Sequence, residues 1–230
     1  IMLYIKKKYP KSKYSYRFVL LPETIGSIAY LSKFYKIMKS NIFCGFNLSC
    51  VGDERAHSHV QSPFSDRLSD LALEAALISK ANVKSYSFLE RGSDERQFCS
   101  PGIDLPVSGY CRSKYGTFSE YHTDADNLNF ITPKGLQGSY DVMKSIIDAF
   151  EICLWPQATN KCEPQLGKRG LYPTISQKGS YDSVELRTNI LAYARGKTVF
   201  ELCKAINSPL DDVVQELEIL IQHDLIAQGK

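Results

Sequence analysis

The chain has 230 residues and a formal net charge of +3 at pH 7; 43% of its residues are hydrophobic and 23% are charged. This length can bury one sizeable core and leaves room for a small second unit. The composition is that of an ordinary globular protein, and the net charge is too small to indicate a nucleic-acid or membrane partner. No apolar run is long enough to cross a bilayer, and no segment has the pattern of a signal peptide.

The seven cysteines are scattered, and no two of them have CxxC spacing. This spacing argues against a zinc ribbon, and an odd number of cysteines favours reduced, mostly buried thiols in a cytoplasmic protein. The first residue is Ile1, and the opening residues read like the end of an element already under way. We expect the natural sequence to continue upstream.

The stretch from Tyr16 to Leu21 is apolar or β-favouring apart from Arg17, which predicts a buried strand. Pro22 ends this strand, and apolar residues at helical spacing then predict a helix that begins near Ile25. Glu23 would lie at the carboxyl edge of the strand, where open α/β sheets bind ligands. The alternative is that Glu23 is an acid in the first turn of a helix, where the helix dipole favours it.

Further strands are predicted at 41–51, 83–89 and 103–111, and further helices at 65–79 and 136–154. Pro106 interrupts the third of these strands, which predicts either an edge position in the sheet or an irregular start to the strand. His57 and His59 form a His-x-His pair, for which we favour a loop or an edge strand over a pair of metal ligands. Strands that alternate with helices predict an α/β domain over residues 1–154, with a largely parallel sheet flanked by helices.

Residues 155–182 are rich in Pro and Gly and predict a connector. Residues 183–230 predict three helices and a short strand, which is the order of elements in a winged-helix-like unit. The third helix of this unit would be the recognition helix in a DNA-binding winged helix. It carries four acids and no Lys or Arg, so a phosphate backbone would repel it. We expect it to serve packing or protein contact instead, including any homo-oligomer contact.

Four short motifs follow one another in the order of a known family: the Pro22–Gly26 turn, the Gly92–Phe98 turn, the Pro101–Ile103 strand entry and the Tyr121–Asn127 loop. Together they resemble the bacterial zinc aminopeptidase-like family of leucyl aminopeptidase and glutaminyl cyclase type, over roughly residues 16 to 150. A narrower resemblance is carried by the stretches 22–27, 50–55 and 163–173. It is to a bacterial subfamily that joins an aminopeptidase-like domain to a carboxyl-terminal winged helix and is associated with polysaccharide biosynthesis.

The resemblance implies a zinc-dependent hydrolase that acts on the amino-terminal amide bond of a peptide or an amino-acyl small molecule. Glu23 matches the position of the general base, and His122 matches a zinc ligand. Asp126 would support the site from the same loop as His122. Asp94 matches an acid that acts through another residue. On the residues alone, His122 is equally a loop histidine that bonds to a neighbour, and Asp94 belongs to a solvated turn.

The chain departs from the family at three positions. Thr24 stands where two-zinc members have a glutamate ligand, Ser49 stands near an aspartate ligand, and Glu95 replaces a histidine. We therefore expect one zinc ion at most, with its remaining ligands upstream of Ile1. Two other functions stay open: a catalytically degenerate peptidase fold that binds a ligand without hydrolysis, and a DNA-binding regulator.

Overall fold

The computed structural model describes residues 1–172 and 181–229, with the side chains of residues 181 and 182 outside the description. The chain divides into two compact units. The first unit contains residues 1–2 and Tyr16–Met143, and the second contains Leu3–Ser15 and Lys144–Lys230. The helices of the described residues are α1 (Met2–Lys8), α2 (Ile25–Asn41), α3 (Leu68–Leu77), α4 (Glu95–Phe98), α5 (Pro133–Cys153), α6 (Tyr181–Tyr193), α7 (Val199–Ile206) and α8 (Leu210–Gln222).

A four-stranded sheet forms the centre of the first unit. Its strands are β1 (Gly45–Leu48), β2 (His57–Val60), β3 (Val83–Tyr86) and β4 (Val107–Cys111), in the order β1-β4-β2-β3. The pairs β1–β4 and β2–β3 are parallel, whereas β2 and β4 are antiparallel. The prediction of an α/β domain with a parallel-rich sheet is thus confirmed, but the sheet is mixed.

The predicted strand at residues 16–21 is wrong, because these residues form no strand in the structure. Phe18 is 42% exposed and Leu20 is 86% exposed. An apolar, β-branched stretch becomes a strand only when a neighbour accepts and donates its backbone hydrogen bonds, and the described strands pair only with one another. The helix after it is confirmed as α2, which buries Leu31 and Met38 against Leu105 and Val107.

The strands β2 and β4 lie inside the sheet and are fully buried, so the prediction of a loop or edge strand at His57–His59 is wrong, as is an edge position for the strand near Pro106. The alternative for that strand, an irregular start, is confirmed, because residues 103–106 form no strand and β4 begins at Val107. Pro106 stands immediately before the first residue of β4, where the missing N–H of proline removes no ladder hydrogen bond. His59 is buried because Asp70 lies 2.9 Å from its Nε2 atom, which gives the imidazole a polar partner inside the core.

The second unit has a winged helix-turn-helix at its carboxyl end. Helices α6, α7 and α8 pack on one another, and β6 (Ile226–Gln228) pairs antiparallel with β5 (Pro156–Ala158). The strand β5 lies within the predicted connector, which the sequence showed only as a Pro-containing stretch. The part of that connector at residues 173–180 lies outside the described residues.

Thr198 begins α7 with a reciprocal capping box. Its side chain accepts a hydrogen bond from the Glu201 amide at 3.2 Å, and the Glu201 carboxylate accepts one from the Thr198 amide at 2.8 Å. None of the seven cysteines forms a disulfide. Among the described residues, no helix has both the length and the apolar character needed to span a bilayer.

Candidate active site

Glu23 lies in an unusual turn at the start of α2. Thr24, the next residue, has φ of 64° and ψ of −69°, a region that a β-branched residue rarely adopts. Gly26 permits the turn, because a Cβ atom there would lie 2.9 Å from the Cδ atom of Pro22. The Glu23 side chain is exposed. The turn therefore presents Glu23 to solvent from a backbone that the rest of the unit holds in place.

Asp94 holds this turn. Its carboxylate accepts a hydrogen bond from the Thr24 amide at 2.8 Å and one from the Ser27 hydroxyl at 2.7 Å. Arg96 donates to the Thr24 hydroxyl at 2.6 Å. Asp94 is 7% exposed, so it does not belong to the solvated turn that the sequence alone favoured. Its contacts place it behind Glu23, consistent with an acid that acts through another residue.

Glu95 is 1% exposed, and both of its carboxylate oxygens accept hydrogen bonds. Its Oε1 atom accepts from the amides of Gly92 and Ser93 at 2.9 and 3.0 Å and from the Tyr115 hydroxyl, and its Oε2 atom accepts from Asn47 at 2.7 Å. Burial acts to raise the pKa of Glu95, but these hydrogen bonds outweigh it and hold the pKa below its usual value. A carboxylate bound by four donors is not available to a metal ion. Glu95 therefore stands at the position of a family histidine but does not act as a metal ligand there.

His122 lies in an exposed loop, directly after Tyr121. Its backbone has φ of 59°, and its ring stacks on the Tyr121 ring with centroids 3.9 Å apart and an interplanar angle of 19°. Tyr121 in turn packs against a small core cluster of Val60, Cys111 and Tyr115. The imidazole therefore has one covered face and is otherwise open to solvent.

The predicted site residues contribute to raised pKa values at Cys50 and Tyr121. Burial, with added contributions from Asp126, Asp53 and Glu23, raises the pKa of the Cys50 thiol. Burial, followed by the charges of Cys50 and Glu23, raises the pKa of Tyr121. The charge of Glu23 therefore contributes to the pKa of both groups, and that of Asp126 to the pKa of Cys50.

Neither Cys50 nor Tyr121 was selected as a site residue from the sequence, although both stand inside the motifs named above. The one available signal was position, because Cys50 follows β1 closely and shares its carboxyl end with the loop after β4. Asp53, from the same stretch, forms hydrogen bonds with a different loop. Its carboxylate accepts from the amide and the hydroxyl of Ser113, each at 2.8 Å, and so ties together the two loops that follow these strands.

A catalytic zinc ion takes about three protein ligands. Within residues 1–172 and 181–229, no three His, Cys, Asp or Glu side chains are grouped so that they could hold a metal ion. The described residues therefore do not by themselves build the zinc site that the resemblance implies.

Comparison with known proteins gives two family models that divide the chain. The model described as "Domain of unknown function (DUF4910)" matches residues 2–152, and the model described as "winged helix-turn-helix" matches residues 154–228. The second match agrees with the α6–β6 part of the structure.

One similar curated protein and one similar solved structure come from Clostridium acetobutylicum. The first carries the name "Putative polysaccharide biosynthesis protein with aminopeptidase-like domain" and is 43% identical over 173 residues, which is 74% of this chain and 39% of that protein. The second is a crystal structure titled as a "putative peptidase", with 34% identity and a TM-score of 0.81. That match covers 98% of this chain and 51% of the solved chain, so this chain spans about half or less of both relatives.

Proposed function

Since the chain belongs to the family described as "Domain of unknown function (DUF4910)", we propose that it forms part of a zinc-dependent, aminopeptidase-like hydrolase. The substrate of this hydrolase would be a peptide or an amino-acyl small molecule, cleaved at its amino-terminal amide bond. Support comes from the aminopeptidase-like domain in the name of one relative and from the peptidase title of the solved neighbour.

The observation that carries the proposal is the contact between two of the matched motifs. The Asp94 carboxylate, in the Gly92–Phe98 turn, accepts the amide hydrogen of Thr24, next to Glu23, at 2.8 Å. The charge of Glu23 also contributes to the raised pKa of Tyr121, on which the His122 ring stacks. A general base must be able to reach the group that it deprotonates, and the Glu23 side chain is exposed. In this proposal Glu23 accepts the proton of the attacking water, and Asp94 fixes the turn that carries Glu23.

The described residues supply at most part of the zinc site in this proposal, since no three potential ligands are grouped among them. His122 would contribute one ligand, Asp126 would support it from the same loop, and the other ligands would come from sequence outside this chain. The proposal further includes a cytoplasmic location, consistent with seven unpaired cysteines, and no nucleic-acid or membrane partner. Any homo-oligomer would form through the winged-helix unit.

A second function, a degenerate peptidase fold that binds a ligand without hydrolysis, is favoured by one specific observation. Glu95 occupies the position of a family histidine and is saturated by hydrogen bonds, and Thr24 occupies the position of a family glutamate. A protein that binds its ligand without hydrolysis could lose metal ligands at both positions and keep its function. Under this alternative, the link to surface polysaccharide biosynthesis would be through the bound molecule.

Two measurements on the natural full-length protein separate these functions. The first is zinc content, compared among the wild type, the His122→Ala variant and a His223→Ala control in the second unit. We expect bound zinc in the wild type and the control, and less zinc in His122→Ala. A wild-type protein without zinc would contradict the proposal.

The second measurement is release of an amino-terminal residue from amino-acyl anilides and short peptides. We expect Glu23→Gln to lower this activity by about a hundredfold or more, because removal of a general base costs roughly that factor. Zinc-loaded wild type that releases no residue would overturn the hydrolase function and favour the binding module.

A further inference from the structure

A cavity of about 630 Å³ lies in the first unit, at the end of β4 and beside the first turns of α5. Arg112, which directly follows β4, lines this cavity together with His57 from β2. Glu23, Asp94 and His122 do not line it. The volume is in the range of pockets that hold small molecules in other proteins.

The Arg112 side chain is 6% exposed, yet its charge is not neutralised. Its Nη1 atom donates to Nε2 of His57 at 2.7 Å, whereas Nε is buried without a hydrogen-bond partner. In the part of the chain that the structure describes, no carboxylate lies within ion-pair distance of this guanidinium. Burying a cation without a counterion is costly, so proteins rarely retain one unless an anion joins it.

The neighbours of His57 keep its ring neutral. Because Arg112 can only donate, Nε2 of His57 must accept, and the ring proton lies on Nδ1, which donates to the Tyr110 hydroxyl at 2.9 Å. Tyr110 then donates to Ser139 at 3.4 Å. Burial and the charge of Arg112 lower the pKa of His57 to about 4. This chain of hydrogen bonds orients the guanidinium but supplies no negative charge.

Helix α5 leaves room for the guanidinium. A Cβ atom on Gly138 would lie 2.5 Å from Nη1 of Arg112, so any larger residue would displace the cation. One turn earlier, the side chain of Lys134 is 85% exposed and lines the same cavity. Lys134 is 3.0 Å from Glu54, which also lines the cavity, as does Asp141. The cavity thus has a buried cation at one side and an exposed cation balanced by acids at the other.

We propose that this cavity binds a small organic anion, with the carboxylate or phosphate group of the ligand on Arg112. The Nε atom of the guanidinium has no hydrogen-bond partner among the described residues, and the planar fork of a guanidinium matches two oxygens of either group. Lys134 adds attraction at the mouth. The acids Glu54 and Asp141 disfavour a polyanion and suit a ligand that carries hydroxyl or amino groups on its other side.

The test is a titration of the wild-type chain with sodium phosphate and with sodium acetate, at constant ionic strength and pH 7. Binding is followed by calorimetry and by amide chemical shifts, which locate the ligand. We expect saturable binding of at least one probe, with shifts at residues that line the cavity. Binding of phosphate alone indicates a phosphorylated ligand, and binding of acetate alone indicates a carboxylate.

Three variants and one control connect that binding to the cavity. We expect Arg112→Lys to weaken binding at least tenfold, since the fork of two donors is lost, and Gly138→Ala to weaken it by displacing the guanidinium. Lys134→Gln, which changes an exposed side chain and leaves folding intact, should weaken binding about threefold. The exposed Lys36→Gln control should bind as the wild type does.

Two results would overturn the proposal. One is the absence of saturable binding of either probe up to about 50 mM, because a weaker interaction would not identify a site. The other is binding that Lys134→Gln, Gly138→Ala and Lys36→Gln all leave unchanged, which would show an ionic effect outside this cavity.

Discussion

The Asp94 carboxylate accepts the amide hydrogen of Thr24 at 2.8 Å, across 70 positions of sequence. Thr24 carries the most unfavourable backbone conformation near the candidate site, and residues in such regions cost about 1–3 kcal/mol unless their surroundings fix them. Asp94 is therefore the residue that keeps Glu23 at the start of α2, and its importance to the site is positional.

We predict that Asp94→Ala lowers the free energy of unfolding by about 1–3 kcal/mol, because the Thr24 amide and the Ser27 hydroxyl both lose their acceptor. The measurement is urea denaturation followed by circular dichroism. Asp66→Ala is the matched control, since the Asp66 side chain is 66% exposed. If both variants unfolded at the same urea concentration as the wild type, the Thr24 turn would not depend on Asp94.

Glu95 gives a prediction about pH. Its pKa in the folded state lies below the ordinary value of 4.5, so the stability that it contributes is present above pH 4.5 and is lost as the pH falls through the folded pKa. We expect Glu95→Gln to be destabilised at pH 7, because the amide group places a donor where Asn47 or Tyr115 already donates. The destabilisation should be about 1–3 kcal/mol.

The same variant should lose less stability than the wild type between pH 5 and about pH 3, because it has no carboxylate to protonate. Denaturation at a series of pH values measures this difference. Glu90→Gln, which changes an exposed acid, serves as the control. Parallel pH curves for Glu95→Gln and the wild type would contradict the assignment of Glu95 as a buried, ionised acceptor.

The helices and the sheet show which features of the fold sequence patterns can predict and which they cannot. Periodicity located α2, α3, α5 and the three helices of the winged helix, because each of these buries one apolar face. Sequence patterns placed β2 in a loop or at the edge of the sheet, and gave β4 an edge position or an irregular start, because histidines and a proline are uncommon in central strands. The reasons that they lie inside are visible only in the structure. Asp70 forms a hydrogen bond with His59, and Pro106 stands just before the first residue of β4, outside its hydrogen-bonded ladder.

Sequence patterns likewise predicted some residues of the candidate sites and missed others. Sequence motifs selected Glu23, Asp94, His122 and Asp126, and the structure locates Asp94 behind the Glu23 turn. Sequence motifs could not identify Arg112 as a candidate binding residue, because its role depends on a neutral His57 from another strand and on a glycine of α5. Such a residue has no local pattern, since its surroundings come from three separate parts of the chain.

His57 gives a second prediction about pH. Its pKa is about 4 when folded and 6.5 ordinarily, so the unfolded chain binds the proton more readily between these values. Stability therefore falls as the pH decreases from 6.5 to 4, by roughly 3 kcal/mol at most for this residue. We expect His57→Gln to lose less stability than the wild type over this range, whereas His223→Gln should follow the wild type. Equal losses in all three proteins would show that His57 is not held neutral.

The winged helix gives the last prediction, which concerns its acidic third helix. In α8, Glu216 is 8% exposed and accepts from Nε of Arg187 in α6 at 2.6 Å, while Nη1 of Arg187 donates to the Leu171 carbonyl at 2.8 Å. Glu216 therefore serves packing within the unit. We predict that Arg187→Ala lowers the stability of this unit by about 2–4 kcal/mol, because it leaves a buried carboxylate without its partner.

Glu218→Gln changes an exposed acid of the same helix and should leave stability within about 0.5 kcal/mol of the wild type. Thermal denaturation of the three proteins measures both effects. The same preparations test DNA binding by gel retardation at low salt, where electrostatic binding is strongest. We expect no retardation, because α8 presents acids where a recognition helix would meet phosphates. Retardation of duplex DNA by the wild type, abolished by added salt, would instead show that another face of this unit binds DNA and would restore the regulator hypothesis.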